Sequence, residues 1–450
     1  MRILAALIFF IAAPLHASEG QPNIVILLAD DLGWGDVGFH GSQIKTPALD
    51  SLAKQGAELT QFYVYPVCSP TRAALMTGRY PMRYGLQIGV VRPWADYGLP
   101  LNERLLPEIL KVVGYQTHIV GKWHLGQFEP EYLPTRRGFD HHYGHYLGMI
   151  DYFTHERNGG LDWHRDEATD TGAGYTTELL GDEAVGIIET HDSSKPLFLY
   201  VPFNAPHTPL QAPEAWIEKY SPIENENHRK YFAMVECLDH QIGRIERALK
   251  ENGLWENTLL LFTSDNGGVP GSGSSMGGLR GRKGTLYEGG IRVPTLVVWP
   301  ETIEEGEQNN NLFHITDLLP TLANIAGGSL EGCLPLDGID QSGEFFEKGP
   351  SAEREILHNI NSKRGAIRKG EWKLVVHFDP DGEIEQSELF HITVDPKEET
   401  DLSDKNPDKT AELTKSLFKY RGEAVIEKNG MGAMPEDFKI PKVWGEVNGS

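Results

Sequence analysis

Four short apolar runs, each ending in polar side chains suited to chemistry, constrain this chain more than any other feature. They are Asn23-Ile-Val-Ile-Leu-Leu-Ala before Asp30 and Asp31, Thr117-His-Ile-Val before Lys122 and His124, Pro196-Leu-Phe-Leu-Tyr-Val before His207, and Thr258-Leu-Leu-Leu-Phe before Asp265 and Asn266. A continuous rather than alternating apolar run predicts a strand buried on both faces. Helical patterns over residues 46–55, 105–113 and 231–250 lie between the runs. The expected architecture is therefore α/β, a mostly parallel sheet between two layers of helices. Ligands of such sheets bind beyond the carboxyl ends of the strands, where these polar groups emerge.

The pattern changes after a helix-like stretch at 316–326. Residues 327–355 are rich in Gly, Glu and Ser and read as a surface connection. Short strands at 365–377 and 387–393 and an amphipathic helix at 409–420 then predict a smaller C-terminal α+β subdomain, with a short antiparallel sheet. The expected division is a catalytic domain over 18–350 and that subdomain over 351–450. Residues 1–17 carry Arg2, an apolar stretch and a small-residue end at Ala17, the pattern of a secretory signal peptide. No other apolar run approaches the ~20 residues that span a bilayer. The expected location is periplasmic or secreted.

The formal charge of −23 argues against nucleic acid or an anionic membrane as partner. A polyanionic substrate would need a local basic cluster to outweigh that field. Three cysteines, Cys68, Cys237 and Cys333, are too few for a disulfide scaffold. Cys237 falls in the 231–250 helical pattern and reads as a small buried hydrophobe. Whether it pairs with Cys333 is left open by the sequence.

The sharpest local signal is Cys68-Ser-Pro-Thr-Arg72, followed by Ala73-Ala-Leu-Met-Thr-Gly-Arg79. Ser69 suits a helix cap and Pro70 a first turn. Cys68 would then sit at a positive helix N-terminus one turn from Arg72, a place that favours an anion or a thiolate. The fragment alone equally fits a structural cysteine before a helix. Asp30, Asp31, Asp265 and Asn266 offer only hard oxygen ligands, which suit calcium or magnesium over zinc, although each pair alone also fits a cap or a solvated turn.

C-x-P-x-R followed by x4-T-G-R resembles the first signature of the type I, formylglycine-dependent sulfatases. Gly114-Tyr-Gln-Thr-His-Ile-Val-Gly-Lys122-Trp-His124-Leu-Gly126 is similar to the second. Further matches are Ala29-Asp-Asp-Leu-Gly-Trp-Gly-Asp, Ser264-Asp-Asn-Gly-Gly and Arg280-Gly-Arg-Lys-Gly-Thr-Leu-Tyr-Glu-Gly-Gly. The resemblance runs from Asn23 through Lys373 and implies an alkaline-phosphatase-like mixed sheet. It implies that a maturation enzyme oxidises Cys68 to formylglycine, whose hydrated aldehyde attacks sulfur. Calcium would be held by Asp30, Asp31, Cys68, Asp265 and Asn266. Lys122 and Lys283 would hold the sulfate oxygens and Arg72 the nucleophile's hydroxyl. His207 would be the acid for the departing alcohol, and His124 would take the proton whose loss expels the sulfate.

Within that family, Asp31-Leu-Gly-Trp-Gly-Asp, Leu133-Pro-Thr-Arg-Arg-Gly-Phe-Asp140, Asp151-Tyr-Phe-Thr-His-Glu156 and Leu357-His-Asn-Ile360 look most like the arylsulfatase B (N-acetylgalactosamine-4-sulfatase) branch. The low cysteine content and short signal look bacterial, and bacterial relatives also attack carrageenan. The implied substrate is a galacto-configured sugar sulfate, from carrageenan-like galactans or from chondroitin or dermatan sulfate. Candidate substrate contacts are Arg137, Asp151, His155 and Arg280. The segment 141–165, dense in His, Tyr, Trp and Arg, suits sugar subsites and equally a packed surface loop. Competing readings are a sulfatase of another glycan or aryl ester, a phosphatase or phosphonate hydrolase of the same fold, and a sulfated-glycan-binding protein whose Cys68 stays a thiol.

Overall fold

A computed structural model describes residues 20–346, 354–428 and 432–446. The signal-peptide reading at 1–17 and the domain boundary at 350 and 351 lie outside those residues.

The four apolar runs are four contiguous strands of one sheet. Asn23–Ala29 lies at the centre, between Thr258–Ser264 on one side and Leu197–Pro202 on the other, and Gln116–Lys122 follows the latter. All three pairings are parallel. Among the described residues the sheet has ten strands and is mixed. Leu296–Val298 pairs antiparallel with Thr258–Ser264 and with Ala57–Tyr63, which restores Ala57–Tyr63 to the central direction.

Alternation along the central strand explains its unbroken hydrophobicity. Ile24, Ile26 and Leu28 pack into a cluster with Ala73, Leu75, Leu106, Ile109 and Leu319. Val25, Leu27 and Ala29 pack on the other face, with Leu49, Leu180, Tyr231 and Leu238. Both faces of the central strand are thus removed from water, and shortening Leu27 to Ala would cost about 2–5 kcal/mol. Helices Cys68–Thr77, Leu106–Val112 and Leu318–Ile325 supply the first layer. Pro47–Gln55, Thr176–Thr190 and Glu226–Glu251 supply the second.

The C-terminal region forms its own antiparallel sheet of four consecutive strands, Glu355–Ile360, Arg364–Lys369, Trp372–Phe378 and Ile384–His391. Helix Pro407–Glu423 buries Leu413 and Leu417 against it. A buried ionic network joins the two parts: Lys373 Nζ lies 2.8 Å from carboxylates of both Glu288 and Glu398, and the Tyr63 hydroxyl donates to Glu288 at 2.7 Å. All three cysteines are free, with Cys237 fully buried in its helix.

Candidate active site

The parallel strands end together, so their polar termini converge. Asp30 and Asp31 follow the central strand, Asp265 and Asn266 follow its neighbour, Lys122 closes the third and His207 stands beyond the fourth. Ala57–Tyr63 runs the same way and delivers Cys68, the first residue of helix Cys68–Thr77. Gly78 ends that helix in a left-handed conformation, with φ of 67°.

The cap expected at Ser69 is corrected by the structure. Val67 is the N-cap and offers no side-chain bond. The Ser69 hydroxyl instead donates to the His124 carbonyl and accepts from the Val91 amide, both at 3.0 Å. Tertiary partners outcompete local capping because the whole first turn is buried.

Two lysines and an arginine meet the acids. Lys122 Nζ lies 2.5 Å from Asp30 Oδ2, and Lys283 Nζ lies 2.6 Å from Asp31 Oδ1 and 3.6 Å from Cys68 Sγ. Arg72 donates to Asp265 Oδ2 through Nε at 3.1 Å and Nη2 at 2.8 Å, and to the Lys122 carbonyl at 3.0 Å. Burial opposes the charge of Asp31, but Lys283 and His207 hold it well below the usual carboxylate range. Burial and Asp30 push Asp265 up. Burial and Asp265 also raise the Cys68 thiol, so this cysteine is not an activated thiolate. Asp31 and His124 both take left-handed backbone, with φ of 70° and 60°. Such conformations in non-glycine residues collect at functional sites.

The histidine tautomers follow from their bonds. His124 Nε2 lies 3.0 Å from the Val91 carbonyl, so it carries the proton, and the buried Nδ1 is left bare without a partner among the described residues. Burial and Lys122 hold His124 well below its ordinary pKa. His207 Nδ1 donates to the Thr208 carbonyl at 2.7 Å, which leaves Nε2 facing Asp31 Oδ2 at 3.7 Å. Burial and Lys283 press His207 down to about 3. The Tyr152 hydroxyl, 2.7 Å from the His207 carbonyl, pins that loop.

Asp30, Asp31, Cys68 and His207 each place a ligand-type atom within 4.8 Å of the others. Asn266 Nδ2 donates to Asp31 at 2.7 Å, while its buried Oδ1 has no partner among the described residues. An orphaned amide oxygen beside crowded carboxylates is the donor set of a hard divalent cation.

Above this floor lies a cavity of about 460 Å³, lined by Cys68, His124, His207 and Lys283. Ile88, Val90, Val91 and Met149 make an apolar wall. Arg92, Arg157, Lys363 and Arg364 also line it; Arg157 falls in the segment 141–165 singled out for sugar subsites, and no sequence spacing marks the other three. They come from an aperiodic stretch, a short hairpin, and a turn with the strand start that follows it in the C-terminal sheet.

The four candidate substrate contacts lie elsewhere, with their polar atoms committed to the fold. The Arg137 guanidinium bonds the carbonyls of Leu99, Pro100 and Glu103. Asp151 accepts from the amides of Phe153 and Thr154 and from Gln211. His155 stacks on Trp163 and contacts the Gly174 carbonyl. Arg280 pairs with Glu388 at 2.9 Å and lies over Tyr287. None of the four lines the cavity. Within 141–165, only Gly148, Met149 and Arg157 do.

Lysines over buried acids, a cysteine at a helix start and neutral imidazoles in one cavity define a hydrolase site for a tetrahedral oxyanion. The Sulfatase family model matches residues 22–328. Arylsulfatase J of Mus musculus is 40% identical across 91% of this chain and 77% of that protein. N-acetylgalactosamine-6-sulfatase of Mus musculus is 34% identical across 78% of this chain and 71% of that protein. The crystal structure of Ps i-CgsB in complex with k-i-k-neocarrahexaose, 32% identical, has a TM-score of 0.84 and covers 90% of this chain and 94% of that one. The chain belongs to the sulfatase family and is a sulfuric ester hydrolase on the alkaline-phosphatase-like fold. Among the described residues, no helix is long and apolar enough to cross a membrane.

Proposed function

We propose that this sulfatase cleaves a sulfate ester from a galacto-configured sugar, of the galactose or N-acetylgalactosamine 4-sulfate type. The observation that carries the chemistry is Lys283, which touches both Asp31 and Cys68 on the floor of a cavity that ends in an apolar wall. An axial sulfate would meet the ammonium while the sugar ring rests on Ile88, Val90 and Met149. One relative is named for N-acetylgalactosamine, and one solved neighbour holds a neocarrahexaose, which supports the galacto configuration.

Oxidised to formylglycine by a maturation enzyme, Cys68 would supply a hydrated aldehyde nucleophile, and calcium held by Asp30, Asp31, Asp265 and Asn266 would supply positive charge at the sulfate oxygens. The chain's own residues do the rest. Lys122 and Lys283 hold the sulfate, and Arg72 is fixed by Asp265 beneath the nucleophile. His124 is neutral with a bare Nδ1, the state required of a proton acceptor. His207 can donate from Nε2 only as the imidazolium, because Nδ1 is committed to Thr208. An arriving sulfate offsets Lys283, the charge that helps depress His207, and so favours that imidazolium. The catalytic unit, taken as 18–350, would be exported to the periplasm or beyond by the segment at 1–17.

The test is mass spectrometry of residue 68 in active, natively exported protein, together with turnover by Cys68→Ala. An aldehyde at 68 and no sulfate release by the variant are expected. An intact thiol in fully active protein would sink the nucleophile assignment. Comparing sulfate and phosphate esters of one phenol checks the reaction class.

A further inference from the structure

The cavity carries more positive charge than one sulfate ester needs. Arg92, Arg157, Lys363 and Arg364 line it beside Lys283, and among the described residues no aspartate or glutamate does. A sulfate monoester bears a single negative charge, which Lys122, Lys283 and the proposed calcium already meet. The four remaining cations stand in a chain with 64 acidic against 41 basic residues, where partners are abundant. Arg72, Arg79, Arg83, Arg280, Arg292 and Arg354 each pair with a carboxylate. Among the described residues, no carboxylate pairs with Arg92, Arg157, Lys363 or Arg364, and Nε of Arg92 is buried without a hydrogen-bond partner.

Leaving half-buried guanidiniums unpaired costs stability, and placing like charges together adds to the cost. Burial and the neighbouring charge of Arg92 pull Arg157 below its ordinary pKa, and burial does the same to Arg364. Arg157 and the Lys363–Arg364 pair are nonetheless held by structure. The Arg157 carbonyl accepts from Trp444 Nε1 at 2.9 Å, and the Asn361 side chain accepts the amides of Lys363 and Arg364 at 2.9 and 3.0 Å. Segments far apart in sequence are thus fixed so that their cations face one space.

We propose that Arg92, Arg157, Lys363 and Arg364 bind a second anionic group of the substrate, a sulfate ester or a carboxylate on the same sugar or its neighbour. This rests on the sugar-sulfatase reading and makes the preferred substrate at least doubly charged. Guanidinium and ammonium donors match both oxyanions, so the two sources share one chemistry.

The experiment compares kcat/KM for a mono-sulfated galacto-disaccharide, the same sugar with a second sulfate, and the same sugar with an adjoining uronate. Wild-type protein is expected to favour a doubly charged member by about tenfold or more at low salt, and the preference should shrink as salt screens it. Preference for the disulfate alone or the uronate alone identifies the anion. In Lys363→Gln/Arg364→Gln, and separately in Arg157→Gln, that ratio should fall to within about threefold of unity. A wild-type ratio near one, or a ratio unchanged in both variants, overturns the proposal. Lys363 is exposed, so Lys363→Gln alone gives the same readout if a guanidinium variant fails to fold. If no galacto sugar is turned over while aryl sulfates are, only the sugar reading fails. The ratio between an aryl disulfate and an aryl monosulfate then decides the rim.

Discussion

Lys283 Nζ stands 2.6 Å from Asp31 Oδ1 and 3.6 Å from Cys68 Sγ, so one ammonium bridges the acid cluster and the residue proposed as nucleophile. Burial alone would lower its pKa, but Asp31 and Asp30 more than reverse this, and the lysine stays charged. A permanent positive charge here suits the binding of an anion and rules out Lys283 as a proton acceptor at neutral pH.

The acid cluster is expected to need its cation. Excess chelator should abolish sulfate release, and calcium should restore it, because Asp30, Asp31 and the Asn266 oxygen crowd a site that calcium would relieve. An unaffected rate in chelator would count against the metal site.

Gly148 lies against the imidazole of His124, and a Cβ there would collide with the ring. Gly148→Ala should push the ring off the Val91 carbonyl and free its tautomer. A loss of kcat by about a hundredfold is expected, with a near-normal melting temperature. Unchanged kcat would show that the His124 position is not critical.

His207→Ala should slow sugar sulfates by about 10²–10⁴-fold and aryl esters with good leaving groups far less, since only a poor leaving group needs the proton. Equal losses on the two classes would argue against the acid role.

Asp239 is buried and accepts the amides of Ala48 and Leu49 at 3.0 and 2.8 Å, at the start of helix Pro47–Gln55. Burial raises its carboxyl from 3.8 to about 7. A raised folded pKa means the group's contribution is fully present below pH 3.8 and is lost as pH rises through about 7. Asp239→Asn removes the charge and keeps one of the two acceptor oxygens, so it loses one amide bond by an amount that does not vary with pH. The melting temperature of the variant relative to wild type should therefore climb between those limits, and a flat difference would refute the shift.

Much of the floor was legible because strand ends are fixed by hydrophobicity. The run Asn23–Ala29 can end only where Asp30 and Asp31 begin, and its parallel neighbours end at the same level. The walls were not legible. Residues 88–93 carry no period, and Lys363 and Arg364 stand at a turn and the strand start after it in the other sheet, so nothing in their spacing ties them to Cys68. Arg137 shows the reverse failure: a cation in a suggestive motif is spent on three carbonyls. Composition reveals a charge, whereas only tertiary structure reveals whether its partner is already inside the protein.

The placement of Lys363 and Arg364, where a turn enters strand Arg364–Lys369, has a practical consequence. Every residue proposed for bond cleavage stands on the large sheet or in the loops around it, while these two cations are lent by the small one. In the proposed anion site, part of the selectivity is thus carried by a sheet that supplies no residue for bond cleavage. Exchanging the connection between strands Glu355–Ile360 and Arg364–Lys369 would alter that share of the proposed anion site and leave the cutting machinery, Arg92 and Arg157 in place.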